Sequence, residues 1–328
     1  MRKAKVLATF MAFATAMFTF SGVGLASQAE NQQKKFKIGI VQIMEHPSLN
    51  TIRESFVEEL AALGYDDSVV EIDYKNAQSD QSNLNSICKK FVGDKVDLIV
   101  AIATPTAQAA AAATKTIPVL FSAVTDPIAA KLLKNPSKPD GNVTGTSDAI
   151  PVDQIFELCK KLTPNVKTFG FLYTASEVNS ASVIKEAKSL ASDYGFKYRE
   201  VTITNSSELQ QAAQSLASKV DAIYTPIDNT IALAMPVLGA VGTKNKIPVY
   251  VGADSMVIDG GFATIGIDYT VLGKQTAAMA KKILEGTPIS EIPVETLTNF
   301  ATVVNKKVAD SLGVTIPEDL MQNAQIVE

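Results

Sequence analysis

Hydroxyl and carboxylate side chains gather in this chain where short apolar runs end. Thr104, Thr106 and Ser122 stand where such runs give way to helix starts, and a hydroxyl beside the unpaired amides of a helix N-terminus suits a carboxylate. Asp126, Asp254 and Asp268, with the amide of Asn229, suit an ammonium group through charge-assisted hydrogen bonds. A small zwitterion would satisfy both sets. Thr104, Asp126 and Asp228 also read as plain helix N-caps that need no ligand, whereas the loops holding Asn229 and Asp254 carry more polar groups than a cap requires. His46, the single histidine of the chain, lies in a further loop of this kind. Tyr224 and Phe121 either pack an apolar part of a ligand or belong to the core.

Catalytic signatures are scarce. A lone histidine leaves no two-histidine metal motif, and no Gly-x-Ser-x-Gly elbow, Walker loop or Gly-x-Gly-x-x-Gly after a strand occurs. A Ser-His-Asp set using His46 has no local motif behind it. No catalytic residue, metal or cofactor is therefore expected. Arg2, Lys3 and Lys5 precede an apolar run over 6–20 and small residues over 22–29, the pattern of a secretory signal peptide at 1–26, with Gly24-Leu25-Ala26 and Ser27-Gln28-Ala29 as rival cleavage sites. The run is short for a membrane span. Its removal takes away three bases and no acid, so the formal charge moves from −4 to −7. Nucleic acid and anionic membrane surfaces are not expected as partners at that charge, and a monomer outside the cytoplasm is expected. Cys88 and Cys159 each lie in a helical apolar stripe and read as buried free thiols.

The elements that must position these residues repeat along the chain. Lys95-Val96-Asp97 opens a buried strand over 98–103 that runs into Thr104-Pro105, with Thr104 as the expected N-cap. Lys219-Val220-Asp221, 124 residues on, opens another that ends at Thr225. The preceding helices match as well: Leu84, Ile87, Cys88, Phe91 and Val92 recur as Leu209, Ala212, Ala213, Leu216 and Ala217. Pro118-Val119-Leu120-Phe121-Ser122 recurs as Pro248-Val249-Tyr250-Val251-Gly252, and Phe36 to Ile40 recurs as Lys167 to Phe171. Shared order and spacing predict two similar, doubly wound α/β lobes with parallel sheets. Expected boundaries are 36–148 for the N-terminal lobe, 149–268 for the C-terminal lobe, and 269–328 for a helix, strand and tail returning across a multi-segment hinge.

Within that frame Thr51-Ile52-Arg53-Glu54 reads as a capping box, Asp126-Pro127 as the start of a helix to about 133, 152–162 as a helix, and Pro236 as a kink or break in a helix over 230–241. Ligands of open parallel sheets bind beyond the carboxyl ends of the strands. The candidate loops are thus 42–47, 103–106 and 122–126 on one side, and 225–230, 253–255 and 266–268 on the other.

Several dispersed segments resemble the bacterial ABC-transporter substrate-binding family associated with tryptophan and tyrosine uptake. They are Gln42 with His46-Pro47-Ser48-Leu49, Ala103-Thr104-Pro105-Thr106-Ala107-Gln108-Ala109, Phe121-Ser122-Ala123-Val124-Thr125-Asp126-Pro127, Asn142-Val143-Thr144-Gly145 and Ile316-Pro317. The resemblance implies a type I periplasmic-binding-protein fold, capture of a small solute between the lobes, and delivery to a membrane permease. An aromatic amino acid is the expected solute. A branched-chain amino acid, an amide or a sugar are alternatives, and the absence of tryptophan weakens the sugar. A secreted hydrolase remains from another class, while the signal peptide and the lack of a DNA-binding headpiece argue against a cytoplasmic repressor relative. The lipoprotein cysteine that many members carry has no counterpart here.

Overall fold

The computed structural model describes residues 35–328; the proposed signal peptide lies outside the described residues. The described residues begin with β1 (Phe36–Gln42), α1 (Pro47–Ala62), β2 (Val70–Asn76), α2 (Gln81–Gly93), β3 (Leu98–Ile102), α3 (Thr104–Ala113), β4 (Val119–Ser122) and β5 (Val143–Ser147). It continues through α4 (Val152–Leu162), β6 (Thr168–Thr174), α5 (Val178–Leu190), β7 (Lys197–Ile203), α6 (Leu209–Ala217), β8 (Ala222–Thr225), α7 (Asn229–Leu233), α8 (Met235–Asn245), β9 (Val249–Val251), α9 (Asp254–Ile258) and β10 (Ala263–Gly266). The rest is α10 (Tyr269–Leu284), β11 (Glu295–Thr296), β12 (Ala301–Asn305), α11 (Lys306–Leu312), α12 (Glu318–Asn323) and β13 (Gln325–Val327).

Two sheets result, with strand orders β11-β5-β4-β3-β1-β2 and β13-β12-β10-β9-β8-β6-β7. Every pairing is parallel except that of β10 with β12. The central strands are buried along their whole length, as strands covered on both faces must be. The two sheets are the two α/β lobes that the repeat predicts. The chain passes between them after β5, after β10, where α10 packs back on α1, and between β11 and β12.

The repeated residues do the same work in each lobe. Asp97 accepts the amide of Lys37 at 2.7 Å, and Asp221 accepts those of Lys167 and Thr168 at 3.0 and 2.8 Å; each aspartate locks the start of its central strand to the lobe's first strand. Gly39 of β1 lies so close to the Phe91 ring that a Cβ would stand 2.6 Å from it, and Gly170 of β6 meets Leu216 at 2.7 Å. Removing the Cβ lets helices α2 and α6 settle onto the sheets. Cys88 and Cys159 are buried free thiols, and burial pushes both up to about 11.

Three local expectations need correction. Helix α1 starts at Pro47 with His46 as N-cap, because proline's preset φ suits the first helical position; Thr51-Ile52-Arg53-Glu54 lies inside the helix. Ala103, not Thr104, is the N-cap of α3. No helix follows Asp126-Pro127: Asp126 Oδ1 takes the amides of Ile128 and Ala129 at 3.1 and 2.9 Å, and Lys131 has φ +58°, so the segment closes into turns. The 152–162 helix forms as expected. Pro236 does divide its helix, into α7 and α8.

Candidate functional site

In both sheets the strand order reverses beside the first strand of the lobe, between β1 and β3 and between β6 and β8. Such a reversal opens a crevice at the carboxyl ends of the strands. The two crevices face one another across a cavity lined by His46, Ser48 and Leu49 after β1, Ala103 and Thr104 after β3, Ala123 and Thr125 after β4, and Asp148 after β5. The second lobe adds Asn179 after β6, Ile227, Asp228, Asn229 and Ala232 after β8, and Ala253, Ser255 and Met256 after β9; Tyr269 at the start of α10 completes the wall. The space unfilled by atoms is about 380 Å³, and the walls stand close together.

Hydrogen bonds join the lobes across this cleft. His46 Nε2 lies 3.3 Å from Asn229 Oδ1, Ser48 Oγ lies 2.6 Å from Ser255 Oγ, and Ser182 Oγ donates to Asp126 Oδ2 at 2.5 Å. Glu177, the N-cap of α5, stands behind Asn229 and accepts its backbone amide at 2.9 Å and its Nδ2 at 2.7 Å. Asp228 caps α7 by accepting the Ile231 amide at 2.9 Å, and it also accepts the Thr174 amide, the Thr174 hydroxyl and the Ser180 hydroxyl. Its oxygens are thus occupied within the second lobe, while burial and the nearby Glu177 push its carboxyl upward.

Asp148 differs. It is 1% exposed, its side chain accepts from Thr125 Oγ1 at 2.8 Å, and burial pushes its carboxyl up to about 6 with no cation beside it among the described residues. Backbone strain concentrates nearby: Ala103 has φ +80° and Ala123 φ +58°, both on the cavity wall and both costly for a residue with a Cβ. His46 Nδ1, Thr104 Oγ1, Asn179 Oδ1 and the Tyr269 hydroxyl are buried without a hydrogen-bond partner among the described residues. These four unpaired polar atoms line the cavity from both lobes and from α10, and such groups call for polar partners.

The structure brings His46, Thr104 and Asn229 together at this cavity and places the other candidates elsewhere. Ser122 is buried among Thr146 and Thr276, at 3.2 and 2.9 Å, between β4, β5 and α10. Tyr224 is wholly buried in the second lobe beside Phe171. Asp126 organises its turn and reaches Ser182. Asp254 holds the Ser255 amide at 2.7 Å, and burial, with Asp268 nearby, pushes it upward. Asp268 is the exposed N-cap of α10. Sequence reasoning named Ser48 and the 253–255 loop without choosing Ser48 or Ser255 as site residues, and it passed over Asp148, Glu177 and Asn179. The repeat itself held a signal for two of them, since the 131-residue offset between β1 and β6 carries His46 to Glu177 and Ser48 to Asn179.

Known proteins are similar to this chain in sequence and fold. The chain is 41% identical over 317 residues, 94% of its own length and 92% of the relative's, to the tyrosine-binding protein of Clostridioides difficile strain R20291. A Streptococcus pneumoniae ABC domain solved in complex with L-Trp superposes with a TM-score of 0.87 at 42% identity, covering 90% of this chain and all of that one. The ligand-free, open structure of a substrate-binding protein with adhesive properties from Clostridium difficile superposes with a TM-score of 0.70 at 44% identity, covering 89% of this chain and 99% of that one. The model of the ABC transporter substrate binding protein family matches residues 37–328. With two parallel-sheet lobes closing on one cavity, the chain belongs to that family and has the type I periplasmic-binding-protein fold.

Proposed function

We propose that this protein is the extracytoplasmic solute-binding component of an ABC importer and that its solute is an aromatic amino acid, held as a zwitterion between the lobes. The observation that carries the reading is Asp148, a buried carboxylate on the cavity wall with no cation beside it among the described residues. A ligand ammonium supplies one. From the same lobe the start of α3 offers unpaired amides and the free Thr104 hydroxyl to the ligand carboxylate. Leu49, Ile227, Ala232, Met256 and Tyr269 supply apolar wall for a side chain. The tyrosine and tryptophan named for the relatives fit the same division.

The mechanism is non-catalytic. An open form takes the solute, and its added contacts in the closed form draw the lobes together; only that difference in affinity drives closure. The narrow cavity and the closer superposition on the tryptophan complex than on the open structure support reading this conformation as closed. His46–Asn229, Ser48–Ser255 and Asp126–Ser182 are then bonds of the closed state, whose outline a permease reads. Among the described residues no helix is long and apolar enough to cross a membrane. Micromolar binding corresponds to about 8 kcal/mol, within reach of two paired charges and an apolar side chain.

The test is thermal unfolding of protein stripped of carried-over ligand by unfolding and refolding, against single amino acids, sugars and short peptides. A ligand at about a hundred times its Kd adds about 2.7 kcal/mol. Tryptophan and tyrosine should raise the transition. A shift given only by a sugar or a peptide would overturn the choice of solute.

A further inference from the structure

Glu177 lies wholly within the second lobe, yet its hydrogen bonds determine which proton a first-lobe histidine carries. Besides the two donors of Asn229, its carboxylate accepts Asn179 Nδ2 at 3.0 Å and the amide and hydroxyl of Thr230, both at 2.9 Å. An ionised carboxylate only accepts. The Asn229 side chain must therefore turn its Nδ2 toward Glu177, and its Oδ1 is left facing His46 Nε2 at 3.3 Å. An amide oxygen has no proton to offer, so Nε2 carries the proton in that contact. Burial lowers the pKa of His46 below its ordinary value and favours the neutral ring, which carries one proton. Nδ1 is left as a bare lone pair, buried without a partner among the described residues, on a side chain that lines the cavity.

We propose that His46 Nδ1 is a hydrogen-bond acceptor for the solute's side chain, and that Glu177 is the positioning residue that keeps it one by orienting Asn229. This rests on the aromatic amino-acid reading and sharpens it. The indole of tryptophan carries an N–H and the phenol of tyrosine an O–H; phenylalanine has no donor. A site with a bare acceptor favours the first two and leaves the acceptor unpaired with the third, a loss on the order of tenfold to a hundredfold in affinity. The same lone pair repels a carboxylate, so it also helps fix which way round the zwitterion lies.

The single histidine of the chain makes the test direct, because every imidazole ¹⁵N resonance belongs to His46. In ligand-saturated protein Nε2 should resonate as a protonated nitrogen and Nδ1 as an unprotonated one, shifted by the donor of tryptophan or tyrosine. Calorimetry should rank phenylalanine at least tenfold weaker. Glu177→Gln, which can present an amide donor to Asn229, should mix the tautomers and narrow the gap between tyrosine and phenylalanine. His46→Phe, which keeps the ring and removes the acceptor, should narrow the gap without relying on the folding of the Glu177 variant. A protonated Nδ1 in the complex, or equal affinity for all three amino acids in the unaltered protein, would overturn the His46 assignment alone. If none of the three bound, the aromatic reading would fall and this assignment with it.

Discussion

Replacing Asp148 by Asn should make the ligand-free protein more stable and a poor binder of amino acids. Burial moves this carboxyl from an ordinary 3.8 to about 6, and each pH unit of such a displacement corresponds to about 1.4 kcal/mol. Keeping the group charged at pH 7 thus costs the ligand-free fold roughly 3 kcal/mol. Because the folded pKa lies above the unfolded one, the cost is absent below pH 3.8, grows through the window up to about 6, and is constant above it. Asparagine carries no such cost and can still accept from Thr125 Oγ1. Urea unfolding of the refolded, stripped proteins should show the variant ahead by up to about 3 kcal/mol at pH 7 and level with the parent near pH 4. Binding should move the opposite way. Losing one partner of a buried charge pair costs about 2–5 kcal/mol, so calorimetry at pH 7 should find tryptophan bound at least thirtyfold more weakly. In the unaltered protein affinity should fall about tenfold per pH unit below 6, because the carboxyl must release a proton to receive the ammonium. A variant that is less stable at pH 7, or that binds as tightly as its parent, would refute the assignment of Asp148 as the ammonium's counter-ion.

Two further outcomes follow from the packing and the cleft. Gly39→Ala and Gly170→Ala push a Cβ to within 2.6 and 2.7 Å of Phe91 and Leu216, and each should lower stability in denaturant titrations by about 1–3 kcal/mol; no loss at either site would mean that the strand–helix approach is slack. A double-mutant cycle of Ser48→Ala and Ser255→Ala, read in solute affinity, should give a coupling of about 0.5–1.5 kcal/mol if their 2.6 Å contact forms on closure. Additive losses would place that contact outside the binding equilibrium.

What the sequence reveals and what it hides divide along physical lines. Apolar runs, Lys-Val-Asp starts and helix stripes are local signals, and they locate both lobes and the strand ends where the cavity forms. Local signals fail where distant groups compete for the same atoms. Asp126 looks like a helix cap, but turn amides and Ser182 of the other lobe claim its carboxylate. Ser122 looks like a ligand hydroxyl, but as the last residue of β4 it meets Thr276 of a helix that returns from far along the chain. Asp148 becomes conspicuous only when the fold leaves it without a cation, and Glu177 only when Asn229 and Thr230, about fifty residues on, bring their donors to it. The repeat nevertheless reaches into the site. Offsets of 131, 125 and 130 residues carry His46 to Glu177, Thr104 to Asn229, and Thr125 to Ser255, so equivalent strand ends supply both walls. In the first two pairs the members differ in chemistry, whereas Thr125 and Ser255 both bring a hydroxyl. At one such pair the first lobe has a histidine and the second a glutamate, which lets one wall orient the hydrogen bonding of the other.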